Sequence, residues 1–72
     1  MKVKNNIKAI RLERGITQVK MAEDLHITRQ TINAIEKSKY NPSLELALKI
    51  SKYFDTPFDE IFSLEEDDNA QK

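Results

Sequence analysis

Residues 17–37, TQVKMAEDLHITRQTINAIEK, decide the fold. They read as two short amphipathic helices joined by a tight turn. The first opens at Thr17, a residue type that caps helix N-termini, and sets Met21, Ala22 and Leu25 on one face. The second opens at Thr28 and offers Ile32 and Ile35 as its buried pair. Only Leu25-His26-Ile27 lies between them, room for a sharp change of direction and nothing more. A helix-turn-helix needs a small residue where its helices cross, a turn residue that tolerates positive φ, and apolar anchors one turn apart in the second helix. Ala22 is the small residue, and Ile32 and Ile35 are the anchors. The turn falls on His26, where glycine would be the easy choice. Histidine is among the few other residues enriched at left-handed φ, so the turn is tolerated at a strain cost.

Outward from this pair, the N-terminal side begins with an arm, residues 1–4, in which Met1 and Val3 alternate with Lys2 and Lys4. That period of two suits a short strand. Asn5 or Asn6 can cap a first helix whose positions Ile7, Ala9 and Ile10 face inward. Gly15 ends it in the left-handed closing position, with Ile16 as the accompanying apolar contact. On the other side, Ser38-Lys39-Tyr40-Asn41-Pro42 is a loop, because Pro42 bars a continuous helix. Ser43 caps a fourth helix with an inward stripe of Leu44, Ala47, Leu48, Ile50, Ser51 and Phe54. Thr56-Pro57-Phe58-Asp59 reads as cap, proline at the first helical position and an acid two residues on. It opens a fifth helix reaching about Phe62, with Phe58 and Ile61 toward the core. Residues 63–72 are acidic and short of apolar side chains, and are expected to fray as a tail. The boundaries are therefore one domain over 1–62 and a tail over 63–72.

Composition narrows the function. At 72 residues there is one small domain with a thin core. The absence of cysteine rules out disulfides and thiolate metal sites and fits a reducing cytosol. No run approaches the roughly 18 apolar residues of a membrane span, and the N-terminus lacks the apolar centre of a signal peptide. Formal net charge is zero, but its distribution is not even. Residues 1–52 hold eleven bases against five acids, about +6, and residues 53–72 hold seven acids against one lysine, about −6. His26 has no second histidine, no cysteine and no carboxylate cluster, so it is no metal site. The run Glu65 to Asp68 lacks the glycine and ligand alternation of a calcium loop and reads as a solvated face. Nothing pairs a nucleophile with a base. An enzyme, a cofactor and a small-molecule ligand are not expected.

Gln18, Ala22, Ile27-Thr28, Ile32, Ile35-Glu36 and Asn41-Pro42-Ser43-Leu44 occur at spacings that together resemble the Cro/phage-repressor (Xre) family. The resemblance spans roughly residues 5–62 and departs from the usual turn glycine at His26. It implies an all-α, five-helix, lambda-repressor-like DNA-binding domain, with 28–37 as recognition helix. A recognition helix reads sequence with side chains near its N-terminus against base edges. With Ile32 and Ile35 inward, Arg29, Gln30, Asn33 and Ala34 are the expected base-contacting residues. Arg29 can fork onto guanine and Gln30 can pair with adenine; Asn33 reaches bases or a phosphate, and Ala34 at most a thymine methyl. Gln18, Thr28, Lys37, Lys39, Tyr40 and Asn41 are the expected phosphate contacts. In the family the residue matching Gln18 also braces the recognition helix. An exposed acid at Glu36 would repel DNA, and the resemblance implies a structural ion pair with Arg11.

Tyr53, Phe54, Phe58, Phe62 and Leu64 crowd the end of the chain more than one thin helix can hide, so they are the expected homodimer interface. A twofold dimer would set two recognition helices about 34 Å apart on a palindromic duplex. Residues 1–4 could pair with residues 62–65 as a small β-ribbon, the alternative being two unpaired ends. The expected function is a sequence-specific DNA-binding transcriptional regulator, a repressor on a palindromic operator, cytoplasmic and nucleoid-associated in a bacterium or encoded by a phage. Two other readings use the same residues: an antitoxin that also masks a toxin, and an RNA-binding or bridging module.

Overall fold

The computed structural model describes residues 2–65, so Met1 and the acidic tail from residue 66 onward lie outside the described residues. In chain order the elements are strand β1 (Lys2–Asn5), helices α1 (Ile7–Glu13), α2 (Gln18–Leu25), α3 (Arg29–Glu36), α4 (Leu44–Phe54) and α5 (Phe58–Ile61), and strand β2 (Phe62–Glu65). The two strands pair antiparallel in the register Lys2↔Glu65, Val3↔Leu64, Lys4↔Ser63 and Asn5↔Phe62. The ribbon expected at the termini is thus present, displaced by one residue at its N-terminal end. Ser63 to Glu65 belong to it and are not frayed.

Helix starts and stops follow from local chemistry. The side-chain oxygens of Thr17, Thr28 and Ser43 accept from the backbone N–H groups of Lys20, Thr31 and Leu46, three residues on in each case, at 3.0, 3.1 and 3.2 Å. Four helices then close alike. Gly15, His26, Ser38 and Asp55 take φ of 68°, 60°, 57° and 51°. After each, the next N–H reaches five residues back: Ile16 to Arg11, Ile27 to Ala22, Lys39 to Ala34 and Thr56 to Ser51, at 2.9 to 3.1 Å. Only one of the four left-handed positions is glycine. The strain expected at His26 is therefore present, and Ser38 and Asp55 carry it as well.

Of the expected caps, α1 takes its side-chain acceptor from Asn5 and not Asn6, and α5 is left without one. Asn6 occupies the N-cap of α1 without a side-chain bond; instead Asn5 Oδ1 accepts from Ile7 N–H at 3.1 Å. Thr56 does not cap α5, which starts at Phe58, because its hydroxyl donates back to the Phe54 carbonyl at 2.9 Å.

The core consists of Ile7, Met21, Ala22, Leu25, Ile32, Ile35, Ala47, Ile50, Phe54, Ile61 and Phe62. Phe54, on α4, has no exposed surface, and burying such a ring is worth about 1.5–3 kcal/mol. The inward stripe of α4 is narrower than the sequence suggests. Leu44 and Leu48 are 71 % and 53 % exposed, while Leu46 packs against the core. Ala47, Ile50 and Phe54 fix the inward direction; Leu48 stands about 100° round the helix from Ala47 and so turns to solvent. Ala9 and Phe58 are likewise exposed. Phe54 and Phe62, expected at a homodimer interface, are both buried within this one chain, where the short α5 packs against α4.

Candidate nucleic-acid interface

The helix pair α2–α3 is held from behind by buried polar groups. Arg11, on α1, is a buried charged residue. Its Nε and Nη2 donate to the two Glu36 carboxylate oxygens at 2.7 and 3.2 Å, and its Nη1 donates to the Ile16 carbonyl at 2.9 Å. The two side chains are 7 % and 3 % exposed. A forked guanidinium–carboxylate pair of this kind fixes direction as well as distance. It joins α1 to the last residue of α3 and removes the negative charge that would otherwise face a duplex.

Gln18 continues the network. Its Nε2 donates to Glu36 Oε1 at 3.1 Å and to Asn33 Oδ1 at 3.3 Å. The first residue of α2 thus braces α3 at two points one turn apart. Asn5 adds a third brace, its Nδ2 donating to the Ile35 carbonyl at 3.0 Å. Asn6 completes the tie between the chain ends, its backbone N–H donating to Ile61 O at 2.9 Å and its side chain to Glu60 O at 3.1 Å. Sequence reasoning missed the braces from Asn5 and to Asn33. The one signal for Asn5 was its place two residues before a helix, where an asparagine can serve two backbone groups at once.

On the outer side, Arg29 and Gln30 are exposed in the first turn of α3, with Asn33 and Ala34 half-buried one turn on. Lys37, Lys39, Tyr40 and Asn41 are all exposed in the segment that leaves α3. Thr28, beside Arg29, is exposed, and its hydroxyl is shared between the Thr31 N–H and the Thr31 hydroxyl at 2.9 Å. The structure therefore brings nine of the ten expected DNA-contacting residues onto or beside α3. The tenth, Gln18, sits half-buried against the same helix with its amide hydrogens turned inward.

Two cations of the basic half have structural work elsewhere. Arg14 closes the C-terminal end of α4, donating to the Phe54 carbonyl and to Thr56 Oγ1, with its guanidinium 5.5 Å from the Phe54 ring centre. Lys20 pairs with Asp24 at 3.2 Å. Asp24 also accepts from the Tyr53 hydroxyl at 2.6 Å, and that bond holds its carboxyl below the usual carboxylate range. Burial, followed by the Asp24 contact, pushes the Tyr53 phenol up to about 12. Tyr53 is thus a tie between α2 and α4. With Arg11, Arg14 and Lys20 engaged, Arg29, Lys37 and Lys39 are the cations standing on or just after α3, while Asp55, Asp59, Glu60 and Glu65 lie on the later elements.

An open apolar groove lies beside the ribbon, lined among others by Val3, Pro42, Leu44, Ala47, Phe58 and Leu64. Phe58 and Leu64 are 42 % and 60 % exposed there.

The family profile described as "Helix-turn-helix" matches residues 7–61, from the first residue of α1 to the last of α5. An uncharacterized HTH-type transcriptional regulator of Methanocaldococcus jannaschii is 47 % identical over 66 residues, covering 92 % of this chain and 100 % of the relative. One from Bacillus subtilis is 48 % identical over 65 residues, covering 90 % and 98 %. The immunity repressor protein of Bacillus phage phi105 is 50 % identical over 44 residues, 61 % of this chain and 31 % of that longer protein. The fold is shared with the crystal structure of a Bacteroides fragilis protein at a TM-score of 0.77 and 23 % identity, over 85 % of this chain and 98 % of the other. A capped helix pair around Ala22, a recognition helix anchored by Ile32 and Ile35, and matches that span the whole domain agree: the chain belongs to the Xre-type helix-turn-helix family of transcriptional regulators.

Proposed function

We propose that this chain is a repressor that binds a palindromic DNA operator as a homodimer. The observation that carries the reading is the first turn of α3, where Arg29 and Gln30 stand free in solvent on a helix held from behind by Arg11, Glu36, Gln18 and Asn5. A rigid helix whose N-terminal face bears an arginine and a glutamine matches what the major groove can accept and read. Lys37 and Lys39 would meet phosphates on the way out of α3, with Thr28, Tyr40 and Asn41 beside them. Such contacts set register and affinity, not sequence. The name of the phage relative, an immunity repressor, is the support for a repressing role.

The homodimer reading rests on the groove beside the ribbon. Leu44, Phe58 and Leu64 expose large apolar surfaces around one concavity, more than scattered surface residues would place together. Of the residues first assigned to the interface, Phe58, Phe62 and Leu64 line this groove, joined by Val3 and Leu44; Tyr53, bonded to Asp24, and the buried Phe54 are not among its lining residues. The test is selection of bound sequences from random duplex DNA, paired with sedimentation of the free protein. An inverted repeat with half-site centres one helical turn apart, about 34 Å, is the expected result. Enrichment of a lone half-site by a monomer would refute the dimer, and no enrichment would refute sequence-specific binding.

A further inference from the structure

The polar groups behind α3 form a chain of hydrogen bonds with a fixed direction. Arg11 can only donate, and it donates to both oxygens of Glu36. The Glu36 carboxylate only accepts, so the Gln18 amide has to turn its NH2 group toward it, at 3.1 Å. The same nitrogen carries a second hydrogen and lies 3.3 Å from Asn33 Oδ1. Reversing the Asn33 amide would set donor against donor. The charge on Arg11 therefore dictates, two residues removed, which atom of Asn33 faces inward. Its oxygen is turned to Gln18, and its NH2 group is the end left without a partner among the described hydrogen bonds.

Asn33 shares a face with Arg29, four residues earlier, and Gln30, three residues earlier. Resting on the DNA-binding reading above, we infer that Asn33 is a specificity-determining residue that offers donors only. It favours a base whose acceptor stands clear of a donor, guanine through O6 and N7 or thymine through O4, over adenine, whose N7 lies beside its amino group, and over cytosine. The bidentate adenine contact usual for asparagine needs oxygen and nitrogen lying together along the base edge, and the Gln18 bond turns the oxygen away. Gln18 and Glu36 act here as positioning residues.

The test compares the full chain with Asn33→Ala and Asn33→Asp in selection from random duplexes, with thermal melting of each. The unaltered protein is expected to take guanine or thymine at one position of each half-site. Asn33→Ala erases that preference at a cost of about 5- to 150-fold for the preferred base. Asn33→Asp keeps an oxygen for Gln18 but presents an acceptor outward; its charge, three residues from Glu36 and facing a duplex, should lower the melting temperature slightly and weaken binding to all duplexes, so the readout is the order of base preference. Preference at that position should then move to cytosine or adenine, whose amino groups donate. Adenine selected there by the unaltered protein would overturn the inference. So would Asn33→Ala weakening every duplex alike, which marks a phosphate contact, or Asn33→Asp leaving the preferred base unchanged. A motif indifferent to residue 33 sinks this inference alone, whereas an unaltered protein that enriches nothing sinks the DNA-binding reading with it.

Discussion

Replacing Arg11 by methionine should remove a large share of the stability of this domain. The substitution keeps the bulk of the stem and deletes three donors: two to Glu36 and one to the Ile16 carbonyl. Glu36, 3 % exposed at its side chain, is left with Gln18 as its partner among the described side chains. Breaking a buried pair by removing one member costs about 3–5 kcal/mol, because the other charge stays desolvated. A domain of this length has about 4–11 kcal/mol in total. The melting temperature should therefore fall by roughly 12–40 °C, at about 4–8 °C per kcal/mol for a chain of this size. Urea denaturation followed by circular dichroism gives the value directly. Replacing both partners, Arg11→Met with Glu36→Leu, should recover most of the loss, since a buried pair exchanged for apolar groups is often neutral or stabilising. The double variant should nonetheless bind DNA more weakly, because the Gln18 amide has lost the acceptor that orients it. A single variant losing under about 1 kcal/mol would refute the buried-pair reasoning. A double variant that binds as well as the unaltered protein would refute the claim that the pair orients Gln18.

Three further outcomes are expected. His26→Gly relieves a left-handed residue at φ 60°, and net of the added freedom of the unfolded chain should stabilise by about 0.5–1 kcal/mol; a loss of stability by urea titration would contradict it. Asn5→Ala leaves the Ile7 N–H without its described acceptor and takes one donor from the Ile35 carbonyl, which keeps the Ser38 N–H at 3.0 Å; it should cost about 1 kcal/mol by the same titration, an unchanged midpoint being the contrary result. Tyr53→Phe should lower the melting temperature most near neutral pH. The Asp24 carboxyl is depressed when folded, so its contribution is present above the ordinary pKa of 3.8 and fades as pH falls through the folded value. The Tyr53 phenol is raised, so its contribution is full below pH 10 and is lost as pH rises through about 12. A Tyr53→Phe difference that does not shrink toward both extremes would count against the bond.

The helix pair was legible because each of its parts has a local signal. Thr17 and Thr28 cap, Ala22 is small at the crossing, and Ile32 and Ile35 sit one turn apart. Gly15 announced its own left-handed turn. Ser38 and Asp55 adopt the same conformation without a glycine to betray it, held by the local bonds that close their helices, Lys39 N–H to Ala34 and Thr56 N–H to Ser51. Overestimating the stripe on α4 has a similar origin: Leu44 and Leu48 are apolar at helical spacing, but only the neighbouring elements decide how wide a face is covered. Phe54 and Phe62 were assigned to a partner because their number exceeded what a single helix could hide. Both lie in the core of this one chain, where α5 packs against α4. Arg14 reads as one more cation of the basic half until the carbonyl end of α4 is brought against it. In the candidate interface, residue identity was readable and orientation was not. The direction of the Asn33 amide depends on Arg11, twenty-two residues earlier in the chain, acting through two intermediates.

The most direct test of the account is the duplex preference of Arg29→Ala, measured beside its melting temperature. Arg29 is exposed in the first turn of α3 and makes no described contact that holds the fold. The melting temperature should stay within a degree or two, as about ±0.5 kcal/mol is usual for such surface sites. Discrimination at one guanine per half-site should fall by about 1–3 kcal/mol, with preferences elsewhere in the motif retained. An unchanged motif and affinity would place base reading somewhere other than the N-terminal face of α3, and would contradict the account at its centre.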